Sequence, residues 1–300
     1  MFLAEHSGGQ DEADSSADRG RKDPTMKEGL KAHWPEYLME AAELGAFMVS
    51  ACFFTAVIWH PASPVRQSIQ DPLLRRVLTG VAMALTAVWI IYSPWGKRSG
   101  AHFNPSVTLT FFRLGKIEPW DTFFYVLAQF VGGVLGVLLA AVLLGGTIKH
   151  PAVDYAATLP GAGGPRVAFV AELLIAFGLM FVVLITSNTQ RVARFTGLFV
   201  AALVATYISL ESPLSGMSMN PARSFASALQ PRLWASLWVY FTAPPLGMLL
   251  AAQLYLLLKG SRGVICAKLH HQNDERCIFR CGYKQREVRS QESEARMAHG

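Results

Sequence analysis

Asparagine–proline steps occur at Asn104-Pro105-Ser106 and Asn220-Pro221-Ala222, 116 residues apart and in matching surroundings. Asparagine is a favoured helix N-cap, and proline suits the first helical position because its missing N–H is not needed there. Each step therefore reads as a helix start, and Arg223 follows the second directly. These residues offer hydrogen bonding and electrostatics rather than covalent chemistry. The chain has no nucleophile–base constellation, phosphate loop or cofactor motif, so it does not read as an enzyme and no cofactor is expected. Cys52 sits in an apolar run, while Cys266, Cys277 and Cys281 lie toward the C-terminus. With His270 and His271 these three are candidate zinc ligands, but their spacing matches no strong pattern and no metal ligand is assigned.

The elements that position the two steps follow from their surroundings. A helix opened at Asn104 runs toward Leu114 and stops at Gly115; one opened at Asn220 runs toward Leu229 and stops at Pro231. Each has about ten residues and spans about 15 Å, half of a hydrocarbon core of about 30 Å. The flanks repeat as well. Thr79-Gly80 recurs as Thr196-Gly197, and Tyr125, Ala128 and Gly132 recur as Tyr240, Ala243 and Gly247. The chain is an internal duplication.

Composition places this duplicated unit in a membrane. Hydrophobic residues make up 52% and charged residues 16%, against about 25% charge in a soluble domain. Uncharged runs cover 44–59, 77–96, 122–148, 173–190, 195–210 and 233–258. Six membrane spans fit, three per repeat. An odd number per repeat makes the two halves insert in opposite senses, the inverted repeat that builds sites at the bilayer midplane. The short helices then enter from opposite faces and complete a seventh pseudo-span. Non-helical backbone before each asparagine, at 100–103 and 216–219, survives at membrane depth only beside protein or a watery cavity. Its carbonyls can line a file of water.

The expected fold is therefore an all-α membrane protein with six transmembrane helices and two re-entrant half-helices. Residues 1–34, polar and charged, read as a disordered tail. The channel domain covers 35–258, with repeats at about 35–148 and 165–258, and 259–300 form a basic tail. Basic residues flanking the spans, among them Lys97, Arg98, Arg113 and Lys116, place both termini in the cytoplasm. Spacing of Gly132, Gly133 and Gly136 in span 3, and Gly247 in span 6, points to close helix packing.

The residues around the two steps carry a resemblance. His102-Phe103-Asn104-Pro105-Ser106-Val107-Thr108-Leu109 and Met219-Asn220-Pro221-Ala222-Arg223-Ser224-Phe225 resemble the paired motifs of the aquaporin and glycerol-facilitator family, supported by Tyr125-Val126-Leu127-Ala128-Gln129 and Trp238-Val239-Tyr240. The likeness covers roughly 36–258. It implies a plasma-membrane homotetramer with one pore per subunit, passing water and small neutral solutes and excluding ions and protons. The expected partners are those solutes and the lipid bilayer, not nucleic acid. An alternative is a structural or adhesion protein of the same fold with an occluded pore.

By the same resemblance, Asn104 and Asn220 turn their amides toward the pore and Arg223 guards its outer constriction. The other walls of that filter fall at Ala84 or Leu85, at Ile208 or Tyr207, and at Met217. A filter of Ala84, Ile208, Met217 and Arg223 is wider and more apolar than the family's water pattern, which extends the expectation to other small neutral molecules. Ser224 and Ala228 resemble the water branch. Glu43 and Glu172 resemble the family's paired glutamates, which accept hydrogen bonds from re-entrant backbone, with Glu40 as an alternative register for the first. Ser106 replaces an alanine, and it is expected to help satisfy free amides of the first helical turn with little effect on conduction.

Overall fold

The structure, a computed structural model, describes residues 25–260 and 263–283; most of the sequence-expected N-terminal tail and the end of the C-terminal one lie outside these. Six described helices are long and apolar enough to cross a membrane. They are α1 (Met26–Trp59), α2 (Pro72–Tyr92), α4 (Pro119–Leu144), α5 (Gly164–Ser187), α6 (Thr196–Leu210, which reaches spanning length with the turn Ala193–Phe195 before it) and α8 (Leu237–Lys259). Two nine-residue helices, α3 (Pro105–Arg113) and α7 (Pro221–Leu229), sit between the second and third spans of each repeat.

Local chemistry sets the boundaries. Thr25 and Glu28 form a capping box that starts α1, with Thr25 N donating to Glu28 Oε2 at 2.7 Å. Helix therefore begins at Met26, inside the stretch expected to be disordered. At 34 residues, α1 is about 51 Å long and overshoots a bilayer core of about 30 Å. Its projecting turns are tied down by Tyr37, which donates to Asp121 at 2.6 Å, and by Glu36, which accepts from Arg98 at 2.9 Å. Asp71 caps α2, and Gly100, in the left-handed region at φ 99°, ends the short turn Pro94–Ser99 that precedes the first re-entrant segment.

Close backbone approach binds the spans. A Cβ on Gly132 would stand 2.0 Å from Ala41 O, and one on Gly136 would stand 2.3 Å from Gly45 O, so α4 crosses α1 on glycine. In the corresponding place of the second repeat a Cβ on Gly247 of α8 would stand 2.3 Å from Leu173 O of α5, and one on Gly80 of α2 would stand 2.6 Å from Ala205 O of α6. Inside a bilayer, where apolar side chains gain nothing by leaving lipid for one another, such contacts hold helices together. Side chains such as Leu85, Trp89, Leu139, Val142 and Leu143 remain exposed on the outside of the bundle. This is an integral membrane fold. Because α1 and α8 are the first and last of six spans, both ends of the described chain lie on one face; Arg276, beyond α8, donates to Ala32 O of α1 at 3.1 Å.

Candidate functional site

Half-helices α3 and α7 meet head to head at their asparagines. Asn104 Oδ1 accepts from Ser106 N at 2.9 Å, and Asn220 Oδ1 accepts from Ala222 N at 3.1 Å and Arg223 N at 3.2 Å. Capping through the oxygen leaves the amide nitrogen as donor. Asn104 Nδ2 donates to Met219 O at 2.8 Å, and Asn220 Nδ2 donates to Phe103 O at 2.7 Å. Each repeat thus closes on the backbone of the other. An amide nitrogen carries two hydrogens, so each asparagine keeps a second donor for the cavity that both residues line.

The segments leading to the asparagines share one backbone path. Gly100, Ala101 and Phe103 take φ values of 99°, 56° and 31°; Gly216, Met217 and Met219 take 79°, 51° and 54°. Left-handed conformation at non-glycine residues is costly and persists only where the surroundings enforce it. Buried carboxylates do so. Glu172 accepts from Ser218 N at 2.6 Å, Met219 N at 2.7 Å and Ser215 Oγ at 2.8 Å. In the first repeat the work is divided. Glu40 accepts from His102 N at 2.9 Å, Phe103 N at 2.7 Å and Gln129 Nε2 at 2.7 Å, while Glu43 accepts from Ser99 Oγ at 2.7 Å. Glu40, rather than Glu43, is therefore the backbone-holding counterpart of Glu172. The repeated tyrosines complete the cradle: Tyr125 donates to Ser99 O at 2.7 Å and Tyr240 to Ser215 O at 2.6 Å.

A cavity of about 370 Å³ runs beside these segments. Its wall includes Trp59, Thr79 and Ala152 toward one face, both asparagines in the middle, and Leu269 toward the face that carries the chain ends. Ile208, Met217 and Arg223 border it. Arg223 keeps Nη1 without a hydrogen-bond partner among the described residues. Ala84 does not border it. That residue is buried between helices, and α2 presents Arg76, Thr79, Met83 and Ala87 to the cavity instead. The reason is register: Gly80 lies against Ala205 and Ser209 of α6, which brings Thr79, not Ala84, level with Ile208.

The family model for major intrinsic proteins matches residues 34–255. The chain belongs to the major intrinsic protein family. Among curated relatives of this major intrinsic protein, the Zea mays protein "Aquaporin NIP1-1" is 36% identical over 175 residues, 58% of this chain and 60% of that one. The Arabidopsis thaliana "Putative aquaporin NIP4-1" is 36% identical over 181 residues, 60% of this chain and 62% of that one. The matched segment thus spans about three fifths of these relatives. The X-ray structure of the aquaglyceroporin from Plasmodium falciparum superposes with a TM-score of 0.60, covering 74% of this chain and 95% of that one at 18% identity. This likeness concerns the fold.

Three features of this major intrinsic protein escaped the sequence reading. Thr79 was available as half of the repeated Thr-Gly pair, but only the pairing of α2 with α6 shows that it faces the cavity. Ser106 is fully buried, and its hydroxyl has no hydrogen-bond partner among the described residues; it satisfies no amide of the first turn, contrary to expectation. Residues 263–283, read from the sequence as part of a basic tail, pack on the re-entrant segment. Leu269 N donates to Gly100 O at 3.1 Å, and Phe279 stacks on His102 with ring centroids 5.4 Å apart.

Proposed function

We propose that this chain is a passive channel that conducts water and other small neutral solutes and rejects ions and protons. The observation that carries this reading is the cavity itself, which passes both asparagine amides and the free Nη1 of Arg223 along an otherwise largely apolar wall. A solute with both a donor and an acceptor can exchange its hydrogen bonds from one asparagine to the next. A cation meets the positive ends of α3 and α7 together with Arg223, and among the described residues bordering the cavity Asp154 is the one carboxylate to set against them. Glu40, Glu43 and Glu172 are engaged by backbone and hydroxyl donors, which supports an architectural rather than proton-carrying role.

In this reading Thr79, Ile208, Met217 and Arg223 form the selective constriction. None of the first three is a large aromatic, which favours passage of solutes bigger than water. The names of the curated relatives agree with a channel, the basic flanks favour both ends in the cytoplasm, and the family resemblance implies a plasma-membrane homotetramer. Stopped-flow light scattering on proteoliposomes tests the reading. Under an impermeant osmolyte the vesicles should shrink faster than lipid alone, and under glycerol or urea they should then reswell. Shrinkage without re-entry would restrict the channel to water. Lipid-only rates throughout would leave the occluded, structural alternative.

A further inference from the structure

We propose that Cys266, His271, Cys277 and Cys281 hold one zinc ion, and that this ion locks the C-terminal segment over the mouth of the channel. Their ligand atoms all lie within 4.8 Å of one another. Cys266 Sγ stands 3.6 Å from Cys277 Sγ, and Cys281 Sγ stands 3.0 Å from His271 Nε2. A tetrahedral zinc with Zn–S bonds of about 2.3 Å places its sulfurs about 3.8 Å apart and its sulfur–nitrogen pairs about 3.5 Å apart. The cluster is within a small adjustment of that geometry, and all three thiols are free. Three sulfurs and one imidazole fill a closed, structural zinc site with no position left for substrate. His270 stays outside, its ring packed edge-on against Tyr92.

The surroundings fit a bound ion. Tyr283 N donates to Cys281 Sγ at 3.5 Å, and the Tyr283 ring stacks on His271 at 4.3 Å, so the same residue steadies two ligands. The segment from 263 to 283 has almost no regular secondary structure, yet it buries Val264, Ile265, Leu269 and Phe279. A metal crosslink would hold so short an irregular stretch in one conformation. From this knuckle, contacts reach three parts of the mouth. Ile265 N donates to Asn188 Oδ1 after α5 at 2.6 Å, Arg280 pairs with Glu118 before α4 at 2.8 Å, and Ala267 O accepts from His102 Nε2 at 2.8 Å. Leu269, between the first two ligands, borders the cavity. Binding releases the thiol protons to solvent and fixes Leu269 in the opening; loss of zinc frees the segment to leave.

The clamp's effect on flow rests on the channel reading, so the experiment separates the two. Full-length protein purified without chelator should carry one zinc per chain by elemental analysis. Cys277→Ser should lose it, and cobalt replacement should give the absorption of a tetrahedral thiolate site. Trypsin should cut at Lys268, Arg276 and Arg280 slowly in the zinc form and rapidly after treatment with a membrane-permeant chelator. Osmotic shrinkage of proteoliposomes should speed up several-fold with the same treatment and with Cys277→Ser. No zinc in a metal-replete preparation, zinc retained by Cys277→Ser, or a Cys266–Cys277 disulfide in unreduced peptides would overturn the site. Zinc release that leaves trypsin protection, or the rate of a conducting channel, unchanged would overturn the clamp. Lipid-only rates in every form, with zinc and protection still lost together, would sink the channel reading while the site and its clamp stand.

Discussion

At the scale of single residues, the decisive pair is Glu40 and Glu43, three positions apart on one helix. Both are buried, but Glu40 serves two backbone amides and Gln129, whereas Glu43 serves one serine hydroxyl and keeps Oε2 without a partner among the described residues. Removing an acceptor strands its donors, and each stranded buried donor costs about 1–3 kcal/mol. Glu40→Ala should therefore destabilise by about 2–5 kcal/mol, and Glu43→Ala by about 1 kcal/mol. Thermal unfolding in detergent would rank them, and equal losses would refute the division of labour. Ser106 behaves oppositely. Its buried hydroxyl is unpartnered, so Ser106→Ala should leave permeability unchanged and stability equal or higher; a several-fold change in water flux would contradict the structure.

At the scale of elements, the helix pairs stand on backbone contact. Gly132→Ala drives a methyl group into Ala41 O and must spread α1 from α4, costing about 1–3 kcal/mol. Gly146→Ala, where nothing lies within 4 Å, is the matched control and should melt like the parent. The helices themselves were legible in the sequence. Long uncharged runs announce spans, and an asparagine–proline step announces a helix start on chemistry local to a few residues. What stayed hidden was register between helices. Glu40 and Glu43 share a helical face, so spacing cannot choose between them. Ala84 was placed by counting from Asn104, but Gly80 packing on Ala205 rotates Thr79 to the cavity. The thiols and histidines were visible as candidate ligands, but their gathering, and the choice of His271 over His270, was not: an irregular loop brings them together, and no periodicity encodes its path.

At the scale of the whole molecule, the two repeats supply different walls to one path. The first gives Thr79 and Met83, and the second gives Ile208, Met217 and Arg223. Because the second repeat contributes the side chains nearest the arginine, bulk added there should discriminate most. Ile208→Trp should cut re-entry of glycerol and urea several-fold more than it cuts water flow, measured on the same vesicles. Equal reductions would mean that the narrowest point lies elsewhere.

The reciprocal hydrogen bonds of the two asparagines carry a consequence for biosynthesis. The acceptor for Asn104 is the carbonyl of Met219, 115 residues further along the chain. A ribosome adding about 5–20 residues per second needs about 6–23 s to cover that distance. During this interval the first re-entrant segment has Glu40 beneath it but nothing to receive its amide, so the half-made protein holds an unmet donor at membrane depth. Insertion of the first three spans is then a provisional state, made permanent only when the second half arrives. Nascent chains arrested before residue 219 should expose a cysteine placed at position 104 to a water-borne thiol reagent, and chains arrested after the second half has inserted should shield it.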